Sequence, residues 1–295
     1  MTLRQRRRAL EALCLAPAAG FTLGLVAYPL GRMIQLSFQE YQLARPFTRG
    51  RFVGGSHYAR LLGDEYFWRA TAVTAGYTIG VTALAFGLGF VAALLVNRRL
   101  AGVPALRTLL SIPWALPSAI AAIVWLLLLQ SSFGVVNFLL QAAGLIERPV
   151  QWLLRPDTSL VAIVLVGIWK VFPFNMLVLL AGLQAVPGEL YEAVAVDGGG
   201  RLSQFRFITW PALKYVSTVA LLLTGIHAFR EFEQIYILTG GGPARATETL
   251  GVQAYLHAFK FFDFGYGSAL GVVMLAISLA AAFVLVRVMR PEEFY

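Results

Sequence analysis

Long apolar runs, rather than a short alternation, set the character of this chain. Six stretches, at roughly 12–37, 70–96, 108–130, 158–184, 213–238 and 266–288, are apolar over most of their length. A helix that crosses the hydrocarbon core of a bilayer needs about 20 such residues. The second and third stretches carry no charged side chain at all. Barrel walls would alternate apolar and polar residues over about 10 positions, and these runs do not. The pattern predicts an all-α, polytopic membrane protein with six transmembrane helices.

The intervals between the runs are short. The segment 38–69 is the longest polar one and is expected to hold short surface helices around Tyr58–Leu62. From Phe133 to Ala143, the positions Phe133, Val136, Leu139 and Leu140 recur at helical spacing. That segment reads either as an interfacial helix or as a solvated connector with one lipid-facing stripe. Arg4, Arg6, Arg7 and Arg8 followed by an apolar stretch resemble a signal peptide. The apolar run continues to about Leu36, too long for a cleaved segment, so it is expected to stay as the first span. No repeat and no long linker divides the chain, and 1–295 reads as one transmembrane domain with its core at about 70–290.

Composition narrows the class. Apolar residues make up 58% of the chain and charged residues 13%, where soluble domains carry roughly a quarter charged. A soluble globular enzyme and a disordered chain are both excluded. The net charge of +9 would hint at nucleic acid on a soluble protein. In so charge-poor a chain it reflects membrane topology, and no nucleic-acid partner is expected. With the N-terminus inside, twelve Lys and Arg fall on inner segments and nine on outer ones, the inner set on shorter segments close to helix ends. The excess of inner positive charge places both termini in the cytoplasm. The single cysteine, Cys14, excludes an internal disulfide and a cysteine-rich metal site.

Several chemistries are missing. The phosphate-binding pattern GxxxxGK[ST] does not occur, and the glycine runs Gly198–Gly200 and Gly240–Gly242 lack the Lys-Ser/Thr that would cradle a nucleotide. His57, His227 and His257 make no metal-ligand spacing, and no GxSxG elbow appears. The chain reads as a non-catalytic one with no cofactor of its own.

The most informative segment is the loop Val186–Lys214. Glu189 to Val196 predicts a short helix, which Gly198, Gly199 and Gly200 end. A second turn over Leu202–Ile208 leads to Pro211 at the start of the fifth span. Two short helices with a small-residue corner suit insertion into a groove on a partner, and equally a helix lying on the membrane surface. The residues decide between them. Glu192-Ala193-Val194-Ala195-Val196-Asp197-Gly198, followed by Ile208-Thr209-Trp210-Pro211, resembles the EAA loop of ABC importer permeases. The family pattern is E-A-A, three residues, Gly, then I-x-L-P. Val194 and Trp210 depart from it, while the acid, the glycine and the proline remain.

The resemblance extends over roughly 10–290. Phe67-Trp68-Arg69-Ala70, Leu95-Val96-Asn97-Arg98, Ile112-Pro113-Trp114-Ala115-Leu116-Pro117 and Leu238-Thr239-Gly240-Gly241-Gly242-Pro243 are similar to the carbohydrate-importer branch, of maltose or glycerol-phosphate type. Such a subunit has the fold of type I importer permeases. The resemblance implies partners: a second homologous permease, two ATP-binding subunits that hold ATP and Mg, and an extracytoplasmic solute-binding protein. Glu192, Ala193, Asp197, Gly198 and Pro211 would then belong to the coupling element, about 186–212, seated on an ATPase subunit.

Charges inside spans are costly and mark functional candidates. The fourth span holds Trp169-Lys170-Val171-Phe172-Pro173-Phe174, where Pro173 cannot donate to the carbonyl of Trp169. A freed acceptor is tolerated where it faces protein or a wet cavity. In the fifth span Thr224, His227, Arg230, Glu231 and Gln234 fall within about 120° at 100° per residue, one polar stripe. Glu233 lies off the stripe, one turn from Arg230. The resemblance implies that segments matching Trp169–Phe174 and Thr224–Glu231 contact sugar, with Trp169, Lys170 and Phe174 beside the stripe. Lys170, Ala228, Arg230 and Glu231 replace neutral or amide residues of the maltose type, so recognition differs. The charged residues suit two roles, lining a solute cavity or forming ion pairs that hold two permeases together. The expected solute is an oligosaccharide or related polyol. A glycerol-phosphate-like anion and an ion-coupled secondary transporter are the alternatives.

Overall fold

The computed structural model describes residues 3–45, 47, 49–98 and 100–288. Arg99 and Arg290, counted above on the inner side, lie outside them. In chain order the helices are α1 (Leu3–Thr22), α2 (Tyr28–Ser37), α3 (Ser56–Gly63), α4 (Glu65–Val96), α5 (Val103–Ala115), α6 (Ser118–Leu128) and α7 (Val135–Ala142). They continue as α8 (Pro156–Gln184), α9 (Gly188–Val196), α10 (Arg201–Gln204), α11 (Trp210–Phe229), α12 (Glu233–Thr239), α13 (Leu250–Tyr255) and α14 (Phe264–Val288). Single π turns at Leu23–Ala27 and Phe205–Thr209 join α1 to α2 and α10 to α11, and a third at Leu256–Lys260 extends α13. Between α2 and α3 a small antiparallel hairpin pairs β1 (Gln39–Glu40) with β2 (Arg51–Phe52).

Among the described residues five helical segments are long and apolar enough to cross a membrane: Leu13–Ser37, Glu65–Val96, Pro156–Gln184, Arg201–Phe229 and Phe264–Val284. The remaining expected span, 108–130, is a pair, α5 and α6, bent by 98°. Its apolar run is continuous, but its proline spacing breaks it. The ring of Pro117 drives Leu116 out of the helical region, to φ −71° and ψ 140°, as a residue before proline prefers. The fifth span also departs from the expected 213–238. Its helix stops at Phe229, turns at Arg230–Phe232, and restarts as α12. By contrast α8 passes through Pro173 as one helix.

The chain divides into two compact units. In the first, residues 1–67 and 253–276, α3 occupies the place expected for a surface helix. Tyr266 donates its hydroxyl to Asp64 at 3.0 Å, and the Arg60 guanidinium lies 4.5 Å over the Tyr266 ring.

In the second unit, residues 68–252 and 277–295, α8 is the central helix, packed against α5, α11 and α12, with α6 against α12. Glycines on both helices, Gly89 of α4 and Gly167 of α8, let the two approach closely. A Cβ added at Gly89 would lie 2.6 Å from Asn175 Cβ, and one at Gly167 2.7 Å from Tyr77 Oη. Ala92, Ala93 and Val96 of α4 meet Met176, Leu179 and Leu183 of α8 and Leu213 of α11 in one buried cluster. Helix α7 covers most of the segment 133–143, which the sequence left open between an interfacial helix and a connector. It exposes Phe138 and Leu139 and buries Asn137, whose amide accepts from Val150 N and Trp152 Nε1 and donates to Val150 O. That one side chain clips the loop between α7 and α8.

Candidate functional site

Two regions of the second unit bring expected site residues together. The first is a cavity of about 420 Å³ lined by Trp114, Ser118, Lys170, Val171, Phe174, Leu223, Thr224 and His227. Adjoining it, a second space of about 550 Å³ shares Ser118, Leu223 and His227 and adds Ile226, Arg230, Glu231, Phe232 and Glu233. Each volume falls in the range of small-molecule sites. Helix α8 supplies one wall, α11 another, and the bend between α5 and α6 the third.

The bend is held from α8. Lys170, only 7% exposed, donates its ammonium to the carbonyls of Pro113 at 3.1 Å and Trp114 at 3.2 Å, and also to that of Leu116. These carbonyls lie at the C-terminal end of α5, where the helix has spent its own donors and carries partial negative charge. A buried ammonium needs such acceptors. The lysine thus lines the cavity at the place where it braces the wall, and its partners are backbone rather than a carboxylate.

Thr224, 1% exposed, donates to Asn175 Oδ1 at 3.1 Å, tying α11 to α8 at the cavity wall. The Trp114 and Phe174 rings lie 6.1 Å apart. Where α11 ends, His227 Nε2 and the Oε2 of Glu231 in the following turn are 3.7 Å apart, with the histidine side chain 57% exposed and the glutamate 9%. The other oxygen of Glu231 accepts from the backbone N–H of Gln234 at 3.1 Å, which satisfies an orphan donor at the start of α12.

Lys170, Phe174, Thr224 and His227 meet in the first space, and Arg230 and Glu231 in the second. Two expected members lie elsewhere. Trp169 packs against Trp125, with ring centroids 5.4 Å apart, and does not line either space. Gln234, 1% exposed, sits on α12 beyond the break, off the wall that carries Arg230. A single stripe would need one continuous helix, and the turn at Arg230–Phe232 removes it. The same turn brings Glu233 to the second space. Among the described residues it makes no ion pair with Arg230. Trp114 and Ser118 enter only because the third span bends, for which Pro113 and Pro117 are the sequence signal.

The second region is the elbow between α8 and α11. Helix α9 ends as its sequence demands. Gly198, with φ +76°, takes the left-handed position, its N–H donating to Ala195 O at 3.1 Å and that of Gly199 to Val194 O at 2.8 Å. Paired bonds of this kind close a helix C-terminus in a Schellman motif. The two arms are tied by Gln204 Nε2 donating to Tyr191 O at 3.2 Å and by the Tyr191 and Thr209 hydroxyls 3.2 Å apart. Pro211 is the second residue of α11 and follows directly on the π turn Phe205–Thr209, so a ring that has no N–H to donate sits where the helix widens as it enters the span. Glu192, Ala193, Asp197, Gly198 and Pro211 are all exposed. So are the apolar side chains of Val196 (87%) and Leu202 (79%).

This is the architecture of a membrane-embedded transport subunit with an exposed helical elbow. The family model described as binding-protein-dependent transport system inner membrane component matches residues 85–291, and the chain belongs to that family. Similar proteins include the trehalose/maltose transport system permease protein MalF of Thermococcus litoralis, 41% identical over 81% of this chain and 80% of that protein. The sulfoquinovosyl glycerol transport system permease protein SmoG of Agrobacterium fabrum is 37% identical over 97% of this chain and 92% of its own length. Among solved structures, a chain of a bacterial ABC transporter involved in the import of the acidic polysaccharide alginate aligns with a TM-score of 0.81. It is 25% identical, and the match covers 97% of this chain and 98% of that one.

Proposed function

We propose that this chain is a transmembrane subunit of an ATP-driven importer for a sugar, an oligosaccharide or related polyol. The solute would be delivered by an extracytoplasmic binding protein. A second homologous permease completes the pathway, and two ATP-binding subunits on the cytoplasmic face supply the energy. Both termini face the cytoplasm, and residues 1–295 work as one permease. The names of the trehalose/maltose and sulfoquinovosyl glycerol relatives support the solute class.

The observation that carries the reading is the cavity under the bent third span. Trp114 and Phe174 offer flat apolar faces to a sugar ring, while Ser118 and His227 offer hydrogen-bonding groups. Arg230, Glu231 and Glu233 add charged donors and acceptors at its continuation. Lys170 contributes chiefly by holding the wall, since three carbonyls engage its ammonium.

Glu192, Ala193, Asp197 and Gly198 form the corner seated on an ATPase subunit, with Pro211 returning the chain to the membrane. Closure of the ATPase pair on ATP would then rock the permeases between inward- and outward-facing states. The test is uptake of labelled trehalose or maltose by vesicles holding the purified complex and its binding protein. Accumulation should require internal ATP and should fall when unlabelled sugar, rather than a sugar phosphate, competes. Accumulation driven by an ion gradient without ATP would overturn the proposal.

A further inference from the structure

A further cavity, of about 490 Å³, opens where the α4–α5 connection meets the start of the elbow. Asn97, Arg98 and Arg107 line one side, and Gln184, Gly188 and Tyr191 the other. Every polar side chain in this set carries an N–H or O–H, and no carboxylate is among the lining residues. Glu189 and Glu192 of α9 do not line it. Arg107 is already fixed in place. Its Nε and Nη2 donate to the carbonyl of Val96, the last residue of α4, at 3.2 and 2.7 Å. A guanidinium has five N–H donors, so others remain for a ligand. Leu95, Leu100, Leu106 and Leu109, on the same two arms, are exposed. The arginines therefore stand close to apolar surface suited to lipid tails. Planar guanidinium groups match phosphate oxygens, and basic pockets at the cytoplasmic ends of membrane helices take phospholipid head groups.

We propose that this cavity binds the phosphate of an anionic phospholipid, with Arg98 and Arg107 as its ligands and the acyl chains along the exposed leucines. The proposal draws on the coupling reading of the elbow only for which leaflet the site faces.

The experiment uses the assembled transporter in nanodiscs of phosphatidylcholine with added phosphatidylglycerol, followed by native mass spectrometry. Wild type should retain phosphatidylglycerol. The Arg98→Gln variant, altered at an exposed position, should lose it while Arg98→Lys keeps part. A second arm measures binding of labelled inorganic phosphate in discs of phosphatidylcholine alone. Retained lipid without phosphate binding supports the lipid as source. Phosphate binding that disappears in Arg98→Gln transfers the site to a soluble anion and overturns the lipid assignment. Equal phosphatidylglycerol retention by wild type and Arg98→Gln also overturns it. So does release of the ATPase subunits from Arg98→Gln at unchanged lipid content, which makes an acidic partner side chain the occupant. Lipid loss with ATP-driven uptake intact supports the site and leaves the coupling reading untouched.

Discussion

Lys170 on α8 donates to the carbonyl of Pro113 on α5 across 3.1 Å, so a buried cation braces the end of a helix that its prolines have already bent. Replacing the lysine by methionine keeps the length and removes every donor. The Pro113 carbonyl, in the buried one of the three contacts, would lose its donor at a cost of about 1–3 kcal/mol. Lys170→Met should therefore unfold at a lower temperature than wild type in a detergent thermal scan. It should also weaken solute affinity, because Trp114 and Ser118 ride on the braced bend. A variant with unchanged melting temperature and unchanged uptake KM would remove the lysine from this role.

Gly89 makes a sharper test of helix packing. A side chain there meets Asn175 Cβ at 2.6 Å and the Phe172 carbonyl at 2.8 Å, so Gly89→Leu forces α4 from α8. Overpacking of a close contact costs about 1–3 kcal/mol. The expected result is a lower melting temperature and poor recovery of folded protein. Gly87, two residues away, has open space where its Cβ would go. Gly87→Leu should stay within about 0.5 kcal/mol of wild type, as surface changes do.

The spans and the elbow were legible in the sequence because each depends on local chemistry. Apolar length predicts a crossing helix, and Gly198 after Asp197 predicts the left-handed stop that α9 adopts. The bend at Leu116–Pro117 is hidden from hydropathy, since both arms are equally apolar, and only the proline spacing betrays it. The break after Phe229 has no proline or glycine to announce it. There the Glu231 carboxylate caps α12, and helical periodicity runs straight across the gap. For that reason Gln234 was expected on the wall with Arg230 and is found buried on the next helix. Trp169 shows a different limit. Its spacing puts it on α8 beside Lys170, but its contact with Trp125 is set by a helix whose direction depends on the bend.

Arg230 and Glu231 occupy the turn between α11 and α12 and line the same space as His227. Arg230 is exposed, so Arg230→Ala should leave assembly intact and lower uptake. Glu231→Ala also removes the acceptor for Gln234 N–H, and loss of a helix cap costs about 0.5–2 kcal/mol. Its defect should include a modest fall in stability, whereas that of Arg230→Ala should not. Full transport by both variants in reconstituted vesicles would exclude these residues from the solute path.

Glu192 is exposed on a helix whose fold does not depend on its carboxylate. The backbone bonds that close α9 run from Gly198 and Gly199 to Ala195 and Val194, and the arms of the elbow are joined through Tyr191, Gln204 and Thr209. Reversing the charge by Glu192→Lys should therefore leave the elbow folded while changing what it presents to a partner. On the coupling reading, the ATPase subunits should dissociate during purification, or remain bound with ATP hydrolysis no longer stimulated by the loaded binding protein. Thermal stability of the permease itself should not change, which separates this outcome from the effect of Lys170→Met. Unchanged co-purification together with unchanged stimulated hydrolysis would take the glutamate out of the coupling contact and leave the exposed apolar side chains of Val196 and Leu202 to be tested in its place.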